Sequence, residues 1–325
     1  MLLHLDTDLG GDPDDACALA MLLGWPGVEL VGITTTADPD GQRAGYVTRI
    51  LRMAGRTEVP VASGAGRSLT THRLMGGVPD HRRYWGRPSV RARPGELEVA
   101  LDLLERSIDR GATVVAIGPY TNLAMVEARS GRLAGVPVVA MGGWVRPPEP
   151  GLPPWGPETD WNVQCDTLAA QTLAWTADLT LVTLPAACTA TLRAAHLPRL
   201  AASGSLGAAL ARQSAAHCEE YHMRDLGRAH ARLPDDLVNF HWDPVACAVA
   251  AGWSGVRTER MCLQPVLADG MLHFEPDRNG RPTRVVTEVD GDAFVAIWLA
   301  AVEAAQRRRW WALGDTRTTA LGVAG

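Results

Sequence analysis

Residues 6–15 carry five aspartates, Asp6, Asp8, Asp12, Asp14 and Asp15. Carboxylates crowded in this way repel one another and favour an unfolded loop unless a cation neutralises them. A hard divalent ion that takes six to eight oxygen ligands suits such a cluster, and calcium accepts more protein oxygens than magnesium does. A single aspartate, above all Asp12, could instead cap a helix, but five exceed what one helix end can use. The segment therefore predicts a calcium site.

The elements that must position these aspartates follow from the alternation of short apolar runs with amphipathic stretches. Five apolar runs predict strands: residues 2–5, 28–35, 113–117, 136–141 and 179–184. Residues 15–23 and 96–108 have apolar side chains at helical spacing. This alternation is typical of an open, mostly parallel α/β sheet with flanking helices and a Rossmann-like core. We expect residues 1–325 to form a single domain that binds its ligand at the carboxyl ends of the strands.

The composition limits the classes of molecule that the chain is expected to bind. The chain has no lysine, so all 31 basic residues are arginines, and 36 acidic residues leave a net charge of −5. This near balance favours neither nucleic acid nor a membrane surface, and a small molecule is the expected partner. Six scattered cysteines without a Cys-x-x-Cys pair indicate reduced thiols and a cytoplasmic protein. The start of the chain does not have the pattern of a signal peptide, and no apolar run reaches the length of a membrane span.

Two stretches rich in proline and glycine, residues 76–94 and 146–157, are longer than ordinary connections. They carry Tyr84, Trp85 and Trp155. Flat side chains in such loops suit either a lid over a flat ligand or the packing of a surface loop. The sequence leaves both interpretations open.

Four motifs, in chain order, resemble those of nucleoside hydrolases, in particular the inosine-uridine-preferring type. The motifs are Asp6-Thr7-Asp8 with Asp14-Asp15, Ile117-Gly118-Pro119, Met141-Gly142-Gly143 with Asp160-Trp161-Asn162, and Trp242-Asp243. Each falls just after a predicted strand or at a predicted helix start. Their common order over most of the chain makes the resemblance specific.

The resemblance implies calcium-dependent hydrolysis of the N-glycosidic bond of ribonucleosides, which gives ribose and a free base. Water held by the calcium would lose its proton to Asp8, as in the matching family position. The calcium ligands implied are Asp8, Asp15, Asp243 and the main-chain carbonyl of Ile117. The ribose-binding residues implied are Asp14, Met141, Asp160 and Asn162. A homo-oligomer, dimer or tetramer, is expected from the resemblance alone.

The chain departs from the family pattern at three places. Many members have a histidine directly before the late aspartate, proposed to protonate the leaving base, whereas Trp242 stands there and His241 comes one residue earlier. Either His241 is the acid, or Trp242 stacks on the base. Two extra residues lengthen the first glycine turn, which leaves the role of Asp12 open. Residues 37–40 stand where Gly-Asn is usual, and either Asp38 or Asp40 is expected to touch the sugar.

Two other functions fit parts of the sequence. A haloacid-dehalogenase-like phosphatase with magnesium also has Asp-x-Asp after its first strand, but it leaves Asp14, Asp15 and Asn162 without a role. A non-catalytic nucleoside or sugar binder on the same scaffold is motivated by the displaced histidine. Such a binder would hold calcium and ribose without turnover.

Overall fold

The structure of the chain is a computed structural model that describes residues 1–77, 81–86 and 89–318. The strands in this part are β1 (Leu2–Thr7), β2 (Glu29–Thr35), β3 (Val61–Ser63), β4 (Thr113–Ala116), β5 (Pro137–Met141), β6 (Asp178–Val182), β7 (Thr191–Arg193), β8 (Leu237–Phe240), β9 (Val256–Ala268), β10 (Met271–Pro276) and β11 (Arg281–Val289). The helices are α1 (Asp14–Gly24), α2 (Gln42–Ala54), α3 (His81–Trp85), α4 (Leu97–Asp109), α5 (Thr121–Ser130), α6 (Trp161–Cys165), α7 (Thr167–Thr176), α8 (Leu184–Ala187), α9 (Leu197–Ala202), α10 (Ser205–Glu220), α11 (Met223–Ala229), α12 (Trp242–Ala250) and α13 (Gly291–Thr318). Short 3₁₀ turns occur at Pro157–Thr159 and Ala194–His196.

Nine of the described strands form one sheet in the order β10-β9-β11-β6-β5-β4-β1-β2-β3. All neighbours from β11 to β3 run parallel. Strand β9 is antiparallel to both β10 and β11. A separate antiparallel pair joins β7 to β8. The prediction of a mostly parallel α/β sheet with flanking helices is confirmed.

All five predicted strands are present, as β1, β2, β4, β5 and β6. Strand β1 runs two residues beyond its predicted end, because Asp6 and Thr7 continue the pairing with Thr34 and Thr35 of β2. The antiparallel extension β9–β11 was not predicted. Most of β9 is exposed or half-buried and mixes polar with apolar side chains, so its apolar pattern is weak.

Helix α1 is buried along its whole length. Trp298 of α13 donates a hydrogen bond of 3.1 Å from its indole Nε1 to the carbonyl of Cys17. A Cβ added to Gly24 would lie 1.9 Å from the carbonyl oxygen of Ala301, so glycine is required where the two helices meet. This packing fixes the start of α1, where the predicted aspartate pair lies.

The two long loops have different surroundings. Trp85 stacks on Tyr46 with ring centroids 4.8 Å apart, and the hydroxyl of Tyr84 donates to Glu220 at 2.8 Å. Both loop side chains are buried, so the packing interpretation holds for them. Trp155 of the second loop instead lines a large cavity. Residues 78–80 and 87–88 of the first loop lie outside the described part of the chain.

Among the described residues, no helix combines the length and the apolar character that a membrane span requires.

Candidate active site

Three aspartates meet where two helices begin. Asp14 and Asp15 open α1, and Asp243 lies in the first turn of α12. One carboxylate oxygen from each lies within 4.8 Å of the others, and all three side chains are buried. Both helix N-termini carry a positive partial charge that favours carboxylates. Oxygen donors at this spacing fit a hard cation such as calcium.

The electrostatics of the cluster also fit a cation. Burial raises the pKa of Asp14, Asp15 and Asp243 well above the usual range, and repulsion among neighbouring aspartates raises it further. Burial likewise raises the pKa of Asp8, and the positive charge of Arg43 opposes that change. A divalent ion would neutralise this repulsion and favour the ionised carboxylates.

Asp8 follows strand β1 and lines the same cavity. Its Oδ2 accepts a hydrogen bond of 3.0 Å from the indole Nε1 of Trp161. Its main-chain carbonyl accepts a hydrogen bond from the guanidinium of Arg43, which also donates to the carbonyl of Ala37 at 2.9 Å. Arg43 is 2% exposed, so a permanent positive charge is buried beside this aspartate.

Ile117, at the end of β4, also lines the cavity. Its carbonyl oxygen accepts a hydrogen bond of 3.2 Å from Nδ2 of Asn162. The next residue, Gly118, lies against Asp8: a Cβ there would be 2.7 Å from the backbone nitrogen of Asp8 and 2.9 Å from its Oδ1. A glycine at this turn therefore lets the ends of β1 and β4 approach each other.

One wall of the cavity carries Met141, Asp160 and Asn162. Asp160 caps α6 by accepting from the backbone nitrogen of Val163 at 3.2 Å, and it accepts from that of Gly143 at 2.5 Å. Burial raises the pKa of Asp160 to about 6. Nδ2 of Asn162 donates to the carbonyl of Met141 at 3.0 Å. Fixed polar groups of this kind suit the hydroxyls of a sugar.

A second wall is aromatic. Trp242 stacks on Phe240 with ring centroids 4.8 Å apart and meets the ring of Trp155 at 6.0 Å. Further apolar lining comes from Leu184, Met223 and Leu226. The cavity has a volume of about 490 Å³ and combines polar and aromatic walls, which suits a ligand made of a sugar and a flat base.

The structure corrects two sequence predictions about the site. The Asp38 carboxylate accepts from the Thr35 hydroxyl at 2.7 Å and from the backbone nitrogens of Arg43 and Ala44, so it holds the start of α2 instead of lining the cavity. Asp40 is exposed and is not among the lining residues.

His241 is the second correction. It is fully buried outside the cavity lining, with its ring 4.3 Å from that of Trp298 and 5.8 Å from that of Phe294. Neither ring nitrogen has a hydrogen-bond partner in the described part of the chain. Burial lowers the pKa of His241 to about 3, so its ring is neutral at neutral pH. The ring therefore cannot reach a base in the cavity.

A family model described as inosine-uridine preferring nucleoside hydrolase matches residues 3–296. The chain belongs to this family. It is accordingly an N-glycosyl hydrolase, and the family assignment replaces the phosphatase interpretation.

Relatives with similar sequences are ribonucleoside hydrolases, and solved structures of nucleoside hydrolases have a similar fold. A pyrimidine-specific ribonucleoside hydrolase RihA of Enterobacter sp. (strain 638) is 26% identical over 310 residues, which are 91% of this chain and 96% of the relative. The RihA of Shewanella sp. (strain MR-4) is 30% identical over 177 residues, 51% of this chain and 53% of the relative. A purine-preferring ribonucleoside hydrolase from Gardnerella vaginalis has a similar fold, with a TM-score of 0.76, 22% identity and coverage of 94% of this chain and 99% of that one. A plant nucleoside hydrolase, PpNRh1, also has a similar fold. Its TM-score is 0.75 at 21% identity, and the match covers 93% of this chain and 99% of that one.

The cavity of this nucleoside hydrolase also includes residues that the sequence analysis did not single out. Among them are Arg43, His217 and Tyr221. Arg43 comes from the start of α2, and the other two lie four residues apart at the end of α10. Four-residue spacing places side chains on one side of a helix, but it does not indicate which side faces a ligand. Only the folded chain brings these side chains to the aspartates.

Proposed function

We propose that this chain hydrolyses the N-glycosidic bond of ribonucleosides in a calcium-dependent reaction, with Asp8 as the base that takes a proton from the attacking water. One observation carries the proposal. A single cavity joins a buried carboxylate cluster, a wall of fixed polar groups and an aromatic wall. The family assignment supports the reaction class, and the resemblance of the motifs supports the individual roles.

In this proposal, Asp8, Asp15, Asp243 and the carbonyl of Ile117 hold the calcium ion. The three aspartates are buried and line the cavity together with Ile117, which supports a shared ligand set. When bound, calcium would neutralise the charge of the cluster and act as a Lewis acid towards the attacking water and the ribose hydroxyls.

Asp8 acts as the general base. Its carboxylate has one oxygen fixed by the indole of Trp161, and its backbone is fixed by Arg43. A carboxylate held in one orientation keeps its other oxygen directed for proton transfer, which a freely rotating side chain does not. The negative charges of the cluster also stabilise the positive charge that develops on the sugar as the C–N bond breaks.

The polar wall positions the ribose. Asp14 in the carboxylate cluster, together with Asp160 and Asn162, accepts or donates hydrogen bonds to the sugar hydroxyls, and the Met141 backbone supports Asn162. These groups are already held by the protein, so binding costs little reordering and the water attacks within an assembled complex. Trp242 and Trp155 stack on the base as it departs.

The test is release of ribose from a panel of purine and pyrimidine ribonucleosides, measured as reducing sugar with calcium present. We expect release from at least one ribonucleoside, and Asp8→Asn is expected to lower kcat by about 10² to 10⁴, the range of a lost general base. The exposed Asp235→Asn is the matched control and is expected to leave the rate unchanged.

The alternative of a non-catalytic binder makes a different prediction. Calcium and ribose would bind to the wild-type chain, but no ribonucleoside of the panel would release ribose. That result would contradict the proposed function.

Three further features belong to the same proposal. We infer a single domain, a cytoplasmic location and a homo-oligomer, dimer or tetramer, from the composition and the resemblance. Light scattering on the eluting protein measures the assembly, and a monomer at micromolar concentration would contradict it.

A further inference from the structure

The proposed reaction needs a proton for the departing base, and His241 lies too deep to supply it. We propose that His217 of α10, oriented by Asp12, donates this proton to the leaving base. The inference rests on the proposed function and adds the step that the family motifs leave without a residue in this chain.

The position of His217 supports this role. Its side chain lines the cavity and is 7% exposed. The ring stacks on that of Tyr221, with centroids 4.5 Å apart and 28° between the planes. Nδ1 is buried, so Nε2 is the ring nitrogen that can meet a ligand. Stacking on a neighbouring ring limits rotation of the imidazole.

The contact with Asp12 gives His217 its partner. Nε2 of His217 lies 3.5 Å from Oδ2 of Asp12. This separation is longer than the usual N–H···O range of 2.7 to 3.2 Å. At this distance Asp12 is an ion-pair partner for the imidazolium and not a hydrogen-bond acceptor, so the N–H of Nε2 can be directed to a base in the cavity.

Asp12 is itself held in place. Its Oδ1 accepts from Nδ2 of Asn239 at 2.6 Å and from the backbone nitrogen of Asp14 at 3.2 Å. The other oxygen is left to face His217. Asp12 lies in the turn that is two residues longer than the common family form, and this longer turn brings a carboxylate to α10. Asp12 is therefore a positioning residue for His217.

The rest of the aromatic wall offers few protons. Phe240, Leu184, Met223 and Leu226 have none to give, and the indole Nε1 of Trp242 is buried. Among the described residues at this side of the cavity, the hydroxyl of Tyr221 is the competing donor. Tyr221 is 56% exposed, whereas His217 is nearly buried and paired with a carboxylate, which favours the imidazole.

The step balances in atoms and charge. As the C–N bond breaks, its electron pair passes to the base, and the proton on Nε2 of His217 passes to a nitrogen or carbonyl oxygen of that base. Water adds its hydroxyl to the sugar carbon and gives its proton to Asp8. Exchange with solvent then returns His217 to its protonated form and Asp8 to its ionised form.

The test compares two kinds of substrate. Uridine and inosine need a proton on the leaving base, whereas p-nitrophenyl β-D-ribofuranoside releases a stable phenolate without one. For His217→Phe, which keeps the stacking, and His217→Gln, we expect kcat on the ribonucleosides to fall by about 10² to 10⁴. The rate on the nitrophenyl riboside should change by less than about threefold, within the scatter of mutations that touch no reacting atom. Asp12→Asn should show the same selectivity with a smaller loss.

Several outcomes would overturn the inference. An equal loss on both substrates would mean that His217 supports the fold or the ribose site, and no loss on either would mean that it has no role. A larger selective loss for Tyr221→Phe than for His217→Phe would assign the proton to Tyr221. The exposed His222→Asn is the matched control for loss of a histidine. If the wild-type chain cleaves the nitrophenyl riboside but no ribonucleoside, the proton donor is absent; if it cleaves neither, the proposed function itself is wrong.

Discussion

The indole Nε1 of Trp161 donates a hydrogen bond of 3.0 Å to Oδ2 of Asp8. The tryptophan is 52% exposed at the cavity, while the aspartate is buried. A phenyl ring at this position would have no donor for the carboxylate, whereas the indole supplies one. Trp161 therefore holds the proposed base in one orientation.

The first prediction concerns this contact. Trp161→Phe keeps an aromatic ring but removes the donor, and a hydrogen bond to a charged group contributes about 1.5 to 3 kcal/mol. Because Trp161 is half exposed, we expect the lower end, about a tenfold fall in kcat/KM for a ribonucleoside. Trp175→Phe, on an exposed tryptophan of α7, is the control. Unchanged kinetics for Trp161→Phe would show that the contact does not matter for catalysis.

The second prediction concerns the carboxylate cluster. Asp243→Asn removes one of the mutually repelling buried carboxylates, so the calcium-free chain should be at least as stable as the wild type. Loss of a residue that only supports a metal ligand lowers metal affinity by about 10- to 100-fold. Because Asp243 is a proposed ligand itself, we expect a larger loss of calcium affinity. Calorimetric titration with calcium and thermal unfolding with and without calcium measure both effects. A variant that keeps the full calcium-induced rise in Tm would exclude Asp243 as a ligand.

The sequence predicted the parallel strands whose ends carry residues of the site. Strands β1, β4 and β5 are buried apolar runs with clear ends, and the polar motifs follow those ends directly. The antiparallel strands β9–β11 escaped prediction because their side chains are mostly exposed or half-buried. Burial on both faces gives a strong apolar signal, and an exposed face dilutes it.

The third prediction tests the turn at Gly118. A methyl group there would meet the backbone nitrogen of Asp8 at 2.7 Å, closer than real contacts allow. Gly118→Ala must therefore displace Asp8 or the Ile117 carbonyl, and we expect a loss of activity of at least about tenfold, typical of an ångström-scale displacement near a reacting group. Gly131→Ala, at an open turn where an added Cβ meets nothing within 4 Å, is the control for loss of a glycine without a clash. Equal activity of both variants would contradict this account of the turn.

The fourth prediction tests the correction of His241. Its ring is buried against Trp298 and Phe294 without a hydrogen-bond partner among the described residues. An unpartnered buried polar group costs about 1 to 3 kcal/mol, so His241→Leu should unfold at the same or a higher temperature. Its rate on ribonucleosides should stay within about threefold of wild type, as for a residue that touches no substrate. A selective loss on ribonucleosides, with the nitrophenyl riboside rate kept, would restore His241 as the acid.

The fifth prediction concerns pH. Burial lowers the pKa of His4 to about 3, whereas an unfolded histidine titrates near about 6.5. Below about pH 6.5 the unfolded chain therefore binds a proton at His4 that the folded chain does not. The contribution of neutral His4 to the free energy of unfolding is fully present above this pH and falls as the pH decreases towards about 3.

Urea unfolding of wild type and His4→Gln at pH 7 and pH 5 measures this effect. The variant should lose about 1 to 2 kcal/mol less than the wild type between the two pH values. The variant is less stable at both, because His4 hydrogen-bonds Ser107 at 2.8 Å and Thr34 at 2.9 Å, so the comparison uses the difference. His72→Asn, on an exposed histidine, should keep the wild-type difference. An unchanged difference in His4→Gln would exclude this histidine as the cause.

The site shows where sequence reasoning stops. Charge crowding at a helix start predicted Asp14 and Asp15, whereas Asp243 was implied only by the resemblance of its motif. The structure brings the three side chains together. His217 and Arg43 were not predicted, because a buried arginine and a helical histidine have no local pattern that distinguishes them from packing residues. His241 was misplaced because nearness in sequence to Trp242 does not determine which side of a turn a ring takes.

The proposed calcium-dependent hydrolysis is tested by a calcium titration of chelator-treated protein, with calcium binding and ribose release from uridine and inosine followed in the same samples. We expect no ribose release without calcium, and a release rate that rises in proportion to the occupied sites. Full activity after chelation, or occupied sites without ribose release from any ribonucleoside, would contradict it.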